Sequence, residues 1–280
     1  MGIYRFVEIL RDFGVSSYYP AATTKVHPTP CVSIGSHGDF EKVLGCQLDI
    51  LSSMKIISWN CCLNFAKKYK QVAKLNPDIL IIQECEKLPI DFFPKANFYW
   101  TGHDERKGLG IVTFGENATV DSSFSQQLDY FLPLNMISGE RVLAVWAFNH
   151  RAEKRFGEGQ KGYVSDALNY YAGWLTGSEI SIVAGDFNNS VVWDRGKKES
   201  NFRETNETLE SFGYLSSYHS YSGEEFGDES RPTLYHTKNK AKPYHIDYVY
   251  LKGISESTVS VGSYEDWIAH SDHMPVIVEC

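Results

Sequence analysis

The stretch from Ile180 to Asn189 constrains the fold of this chain more than any other. Its first part, Ile180 to Ala184, is apolar, has the length of a buried strand and stops at Gly185, where a bend needs no Cβ. Asp186 and Asn188 follow two residues apart, so extended geometry lets both side chains point the same way. A rigid strand that delivers a carboxylate and an amide to an open loop favours a catalytic site, although an Asx-rich turn would give the same motif.

The other predicted elements indicate an α/β sandwich. The segment Asp78 to Glu84 is an almost continuous apolar run, which is typical of a strand buried on both faces. Further strands are predicted at 54–60, 108–114, 141–149, 233–237, 244–251, 258–261 and 274–279, and helices at 66–75, 163–175 and 204–212. Strands outnumber helices and some are buried on both sides, so two packed sheets with helices outside are expected. A hydrophobic content of 42% and an aromatic content of 14% are enough for that core.

Residues 1–53 differ from the rest of the chain. They contain a proline-rich piece, His27 to Pro30, and show no strong hydrophobic period before Met54 opens the first core strand. We expect an N-terminal extension over 1–53, poorly ordered or non-essential, in front of a catalytic domain over 54–280. An accessory helix over Tyr4 to Phe13 is the alternative.

Charge and cysteine usage exclude several classes of protein. The net charge of -8 argues against a surface that coats nucleic acid, but it allows a local basic rim. No apolar run approaches the ~20 residues that span a bilayer, and no signal-peptide cleavage site follows the N-terminus, so a cytoplasmic protein without membrane contact is expected. The six cysteines form no CxxC pair, which favours free thiols in a reducing compartment over a zinc site. We expect a monomer.

Five predicted strands end in a polar residue that can hold a hard cation or a phosphate. They are the strands that end at or near Asn60, Glu84, Asp186 with Asn188, Asp247, and Asp272 with His273; His150 adds a sixth position. Oxygen-rich sets of this kind suit Mg²⁺, with Mn²⁺ as a plausible substitute. Asp247 lies inside an apolar strand and needs a partner, for which His273 is a candidate. Turn capping by Asn60 and a solvated strand end at Glu84 are the alternatives.

The order and the residues of these segments resemble those of a known superfamily. Trp59-Asn60, Ile82-Gln83-Glu84, Gly185-Asp186-Phe187-Asn188, His245-Ile246-Asp247-Tyr248 and Ser271-Asp272-His273-Met274-Pro275-Val276 are similar to motifs of the endonuclease/exonuclease/phosphatase superfamily. That superfamily includes exonuclease III, deoxyribonuclease I, neutral sphingomyelinases and inositol polyphosphate 5-phosphatases. The resemblance covers roughly Met54 to Cys280. It implies a four-layered, deoxyribonuclease I-like sandwich of two mixed β-sheets, packed face to face and flanked by helices.

The resemblance also implies a metal site and a way to activate water. Glu84 would be the main metal ligand, Asn60 would lie beside it, and Asp272 would complete the metal region. Asp186 would orient or deprotonate the attacking water. The reaction would be metal-dependent, in-line hydrolysis of a phosphate ester.

Four further positions would act on the phosphate. The resemblance implies that Asn188 hydrogen-bonds the phosphate and that Asp247 orients His273, which would bind or protonate a phosphate oxygen. His150 matches a second histidine of deoxyribonuclease- and sphingomyelinase-like members, whereas the exonuclease III branch carries an aromatic residue there.

Three basic clusters beside these positions favour a polyanionic substrate. They are Arg151, Lys154, Arg155 and Lys161; Arg195, Lys197, Lys198 and Arg203; and Lys238, Lys240 and Lys242. Of these, we predict substrate contacts for Arg151, Arg155, Arg195 and Lys242, and stacking on a base or sugar for Trp193. Solvated loop charge and core packing of Trp193 are the alternatives.

The sequence therefore predicts a metal-dependent nuclease that acts on DNA or RNA. A phosphatase or phosphodiesterase for a small phosphorylated metabolite or a lipid head group is the first alternative. A catalytically dead binding module is the second, and it would lack a ligand residue, whereas none of the five positions is missing.

Overall fold

The first sheet brings together strands from both ends of the catalytic domain. The computed structural model describes residues 54–122, 128, 130–147, 163–196 and 201–280, so the predictions for residues 1–53 lie outside it. The strands are β1 Lys55–Asn60, β2 Ile79–Cys85, β3 Ala96–Asp104, β4 Lys107–Phe114, β13 Thr258–Val261 and β14 Val276–Glu279. Their order in space is β13-β14-β1-β2-β4-β3. Only the β1–β2 pair within this sheet is parallel.

The second sheet is also mixed and carries two of the four carboxylates of the predicted site. Its strands are β5 Ala118–Val120, β6 Phe131–Met136, β7 Arg141–Trp146, β8 Ser181–Asp186, β9 Leu215–Ser216 and β12 Asp247–Lys252. The order is β5-β6-β7-β8-β12-β9, and β7 runs parallel to β8. Strands β8 and β12 are antiparallel in a register that sets Asp186 opposite Asp247. A separate two-stranded ribbon pairs β10 Leu234–Tyr235 with β11 Pro243–Tyr244.

Helices cover the outer faces of both sheets. They are α1 Phe65–Ala73, α2 Val164–Tyr170, α3 Ala172–Thr176, α4 Phe202–Ser211, α5 Ser217–Ser222 and α6 Tyr264–Trp267. Helix α1 buries Phe65 and Val72, and its other residues are exposed or half-buried. Its first free N–H groups, those of Phe65 and Ala66, donate to the carboxylate of Glu86, just beyond β2. No helix within the described part of the chain combines the length and apolarity that a membrane crossing requires.

The buried side chains form three clusters that correspond to the spaces between four layers. Ile56 and Ile81 of the first sheet pack against Val142 and Ile182 of the second. Helices α2, α3 and α4 pack on the outer face of the second sheet, and α1 with Trp267 packs on the outer face of the first. The predicted four-layered α/β sandwich of two mixed sheets is therefore confirmed.

Some boundaries differ from the predictions. The predicted helix 163–175 is two helices, because the chain breaks its regular path at Tyr171, which caps one and opens the other. The predicted strand 233–237 shortens to Leu234–Tyr235, because the chain turns at His236–Lys238. Strands β3, β5, β6 and β9 were not predicted, and β6 contains Pro133, a residue that argues against a strand interior.

Candidate active site

Asp186 ends β8 beside Asp247, and both carboxylates are almost completely buried, with 0% and 1% exposure. Asn60 at the end of β1 donates from Nδ2 to Oδ2 of Asp186 at 2.9 Å, and the backbone N–H of Asn188 donates to Oδ1 at 2.8 Å. Burial, followed by the negative charge of Asp247, raises the pKa of Asp186 to about 7. The Asp186 carboxyl group can therefore take or give a proton near neutral pH.

Asp247 forms a buried pair with His273. Nδ1 of His273 lies 2.9 Å from Oδ2 and 3.2 Å from Oδ1 of Asp247. Burial opposes a charged imidazole, but the charge and hydrogen bond of Asp247 outweigh it and raise the pKa of His273 to about 10. The hydroxyl oxygen of Thr233 accepts from the backbone N–H groups of Ile246 and Asp247, both at 3.0 Å, and so fixes the start of β12. His273 is thus held as an imidazolium whose Nδ1 faces Asp247.

The end of β1 is fastened to the segment that carries His273. The indole N–H of Trp59 donates to the His273 carbonyl at 3.0 Å, and the Ser271 hydroxyl donates to the Asn60 carbonyl at 2.7 Å. The same Ser271 oxygen accepts from the His273 N–H at 3.0 Å. These bonds hold Asn60 and His273 in fixed relation to each other.

Glu84 and Asp272 lie on the more open side of the site. Glu84 sits at a bulge near the end of β2, where its φ is 58°, and its carboxylate is 3.3 Å from Nζ of Lys107. The same ammonium group lies 5.0 Å from the ring centre of Trp146. Burial, followed by the charges of Asp272 and Glu84, raises the pKa of the Cys62 thiol, so both carboxylates act on a residue two positions after Asn60. Asp272 and Glu84 therefore both lie close enough to Cys62 for their charges to act on its thiol.

The donor set fits a hard divalent cation. Ligand atoms of Asp186, Asp247 and His273 lie within 4.8 Å of one another, and no other such His, Cys, Asp or Glu group occurs in the described ranges. Nδ1 of His273 is bonded to Asp247, and its raised pKa opposes loss of the proton that metal binding would require. Asn60, Glu84 and Asp272 offer oxygen atoms, which Mg²⁺ and Mn²⁺ prefer. These three residues stay the predicted ligands of the cation.

Of the remaining predicted site residues, some lie in the described part of the chain and the others lie outside it. Asn188 follows Asp186 in the left-handed region, with φ of 48°. Trp193 is half-buried on a 3₁₀ turn, and its ring centre lies 4.8 Å from that of Tyr244, whereas Arg195 and Lys242 are exposed. His150, Arg151 and Arg155 lie outside the described residues, as do Lys154, Lys161, Lys197 and Lys198.

Three supporting residues were not predicted. The roles of Lys107, Thr233 and Ser271 depend on contacts between distant segments, which no sequence spacing reveals. Ser271 had one visible signal, its place in the motif with Asp272 and His273.

Residues 57–273 match the sequence profile described as the Endonuclease/Exonuclease/phosphatase family. No curated protein matches the chain in sequence. Among solved structures, it is similar to an AP endonuclease from Archaeoglobus fulgidus, with a TM-score of 0.55 and 17% identity over 80% of this chain and 98% of that one. It is similar to a 3'-5' exonuclease from Neisseria meningitidis, with a TM-score of 0.57 and 18% identity over 81% and 99%. A truncated TDP2 from Caenorhabditis elegans gives a TM-score of 0.53 and 14% identity over 81% and 96%.

Proposed function

The chain belongs to the endonuclease/exonuclease/phosphatase family, and on that premise we propose that it is a Mg²⁺-dependent phosphodiesterase that cleaves nucleic acid. The observation that carries this proposal is a pair of buried side chains, Asp186 and His273, that differ in charge near neutral pH. Asp186 has its pKa raised to about 7, whereas His273, across Asp247, has its pKa raised to about 10. One group can accept a proton near neutral pH while the other stays positive, which is the division that ester hydrolysis needs.

In this proposal, Asp186 accepts the proton of the attacking water. Its carboxylate is held by Asn60 and by the N–H of Asn188, so its orientation is fixed before substrate enters. Because its pKa is raised toward neutrality, Asp186 is a stronger base than an ordinary carboxylate and still exists partly as the carboxylate at physiological pH. Positioned acid–base groups of this kind contribute about 10²- to 10⁴-fold to a rate.

His273 and Asn188 stabilise the phosphate as negative charge develops. Nδ1 of His273 is occupied by Asp247, which leaves Nε2 as the nitrogen that donates to a phosphate oxygen. The Asn188 side chain, which follows the same strand end as Asp186, supplies an amide donor. Fixed donors in a buried setting stabilise charge more than water does.

The metal would be held by Glu84, Asp272 and Asn60. When bound, it supplies Lewis acidity and neutralises charge on the phosphate. These residues would present oxygen ligands to the metal on the open side of the Asp186 and His273 pair.

Two lines of support favour nucleic acid over a small phosphoester. The similar structures include an AP endonuclease, a 3'-5' exonuclease and a 3' phosphatase from Neisseria bound to a product DNA hairpin. The described residues also include Arg195 and Lys242, which are exposed and predicted to contact substrate, and the aromatic pair of Trp193 with Tyr244. These groups suit a phosphate backbone and its bases.

The first experiment measures nicking of supercoiled plasmid by the full chain with Mg²⁺ and with EDTA. We expect nicking that requires metal and that falls by at least about 100-fold in Asp186→Asn and in Glu84→Gln. Glu256→Gln, a change at an exposed carboxylate, is the matched control and should nick at the wild-type rate. Circular dichroism checks that every variant is folded.

Two results would contradict the proposal. Wild-type rates in Asp186→Asn or Glu84→Gln would refute the site. Absence of nicking, together with metal-dependent hydrolysis of small phosphoesters, would replace nucleic acid with the small-molecule alternative.

A further inference from the structure

The ribbon of β10 and β11 is attached directly to the proposed site. Leu234 forms a β-bridge with His273, and the Tyr235 N–H donates to the Asp272 carbonyl at 2.8 Å. The Met274 N–H donates to the Thr233 carbonyl at 2.7 Å on the same side. The loop that joins the two strands therefore projects from a base fixed to the residues that flank His273.

This loop carries three lysines, which the structure assigns to different surroundings. The Lys240 ammonium pairs with Glu265 and lies 5.0 Å from the ring centre of Tyr264, so it anchors the loop to α6. Lys242 holds the loop closed through its backbone, with its N–H donating to Asn239 at 2.9 Å. Its exposed side chain precedes β11.

Lys238 lies at the turn of the loop, and its backbone is strained. Thr237 and Lys238 both have left-handed φ values, 56° and 58°, which side chains with a Cβ rarely adopt. The Tyr264 hydroxyl donates to the Lys238 carbonyl at 2.9 Å and so helps to hold this conformation. Strained backbone persists where its surroundings over-determine it, and such places concentrate at binding and catalytic sites.

The side chain of Lys238 is exposed and, among the residues that the structure describes, has no hydrogen-bond or ion-pair partner. Lys238 follows Tyr235 by three residues, and the Tyr235 N–H is bonded to the Asp272 carbonyl, so the loop keeps Lys238 next to the Asp272 segment. A free cation is thus held beside the open, acidic side of the site, where a substrate phosphate would provide its counter-charge.

We propose that Lys238 binds the phosphate adjacent to the one that is hydrolysed, so that the site favours a chain of phosphodiesters over an ester with a single phosphate. This inference rests on the proposed function and deepens it, because a second phosphate contact selects an oligonucleotide. Lys242 and Lys240 do not share the role, since the first lies at the base of the loop and the second is paired.

The test compares wild type, Lys238→Met and a control, Lys95→Met, on two substrates with Mg²⁺. Lys95 is exposed just before β3, at the end of the first sheet opposite Glu84. One is a single-stranded oligonucleotide, and the other is bis(4-nitrophenyl) phosphate, which has one phosphate. We expect Lys238→Met to lower kcat/KM on the oligonucleotide about ten-fold, through KM, and to leave the small ester within about two-fold of wild type. Lys95→Met should change neither. Equal losses on both substrates, or no loss on the oligonucleotide, would overturn the inference.

Fluorescence anisotropy with the same oligonucleotide in EDTA separates this inference from the proposed function. We expect Lys238→Met to weaken binding and to reduce the slope of log Kd against log salt concentration by about one. Binding that depends on Lys238 without any cleavage by wild type would refute the proposed function and keep the inference. Cleavage by wild type, together with wild-type affinity in Lys238→Met, would keep the proposed function and refute the inference. Absence of binding by wild type would also refute the inference.

Discussion

Replacing Gly185 by alanine should disrupt the strand that carries Asp186. Gly185 has φ of 153°, and a Cβ built on it would lie 1.7 Å from the carbonyl oxygen of Val145 and 2.6 Å from its carbonyl carbon. Ordinary contact begins at 3.4 Å, so half of that separation is missing, and both obstructing atoms belong to the backbone of the paired strand β7. No side-chain rotation can relieve this overlap.

The expected cost follows from two separate effects. Overpacking a buried position costs about 1–3 kcal/mol and often more when the backbone must move. A Cβ in an unfavourable φ region adds about 1–3 kcal/mol. We therefore expect Gly185→Ala to lower the free energy of unfolding by about 4 kcal/mol or more, a large part of the 5–15 kcal/mol typical of a domain. The proposed nuclease activity should be lost with it.

Urea unfolding followed by circular dichroism measures the loss, and two glycines serve as controls. Gly139 also has positive φ, 109°, but a Cβ there would meet nothing within 4 Å, so Gly139→Ala isolates the backbone effect and should cost about 1 kcal/mol. Gly173 lies in α3 with open space around it, and Gly173→Ala should stabilise by up to about 1 kcal/mol. If Gly185→Ala unfolds within 1 kcal/mol of wild type, the close approach of β7 and β8 is wrong.

Three further predictions concern the site and its support. In EDTA, the unfolding free energy should fall as pH rises from 6.5 toward about 10, because folded His273 keeps a proton that the unfolded chain releases. The stabilisation that protonated His273 provides is complete below pH 6.5. Above that pH, the unfolding free energy should fall by at most about 1.4 kcal/mol per pH unit. Urea unfolding across this range should show that slope in wild type and lose it in His273→Gln, and equal slopes would contradict the assignment. Thr233→Val removes the acceptor of the buried N–H groups of Ile246 and Asp247 and should cost about 2–4 kcal/mol in the same assay; a cost below about 0.5 kcal/mol would show that water replaces the hydroxyl. Finally, Mg²⁺ at about 100 times its Kd should stabilise wild type by about 2.7 kcal/mol, measured as a rise in Tm. Glu84→Gln should show a much smaller rise in Tm. Equal rises in the two proteins would exclude Glu84 as a ligand.

The sequence was most informative where a strand is buried and its end carries chemistry. The apolar runs before Glu84 and Asp186 predicted β2 and β8, because a strand inside a sandwich has few polar positions to confuse the pattern. Asp247 could be recognised for the same reason, as a charge inside an apolar strand. The two carboxylates then become neighbours through the antiparallel register of β8 and β12, which spacing alone does not fix.

The sequence was less informative where tertiary contacts override local preference. Strand β6 forms despite Pro133, because its other residues pair with β7 and fill the core. The three lysines between β10 and β11 look equivalent in sequence, and Lys242 was the predicted substrate contact. The structure separates them through Glu265 and Tyr264, whose positions depend on the packing of α6 against the ribbon.

The bond between the Trp59 indole and the His273 carbonyl joins residues 214 positions apart in the chain. Strand β1 is likewise flanked on one side by β14, which is synthesised last among the described strands. Because a domain folds as a unit during or after synthesis, a growing chain on the ribosome has Glu84 and Asp186 long before it has His273. An unfinished chain that stops before residue 271 therefore lacks both the imidazolium and a strand of the first sheet, so hydrolytic activity should arise only once residues 271–279 have been translated and docked.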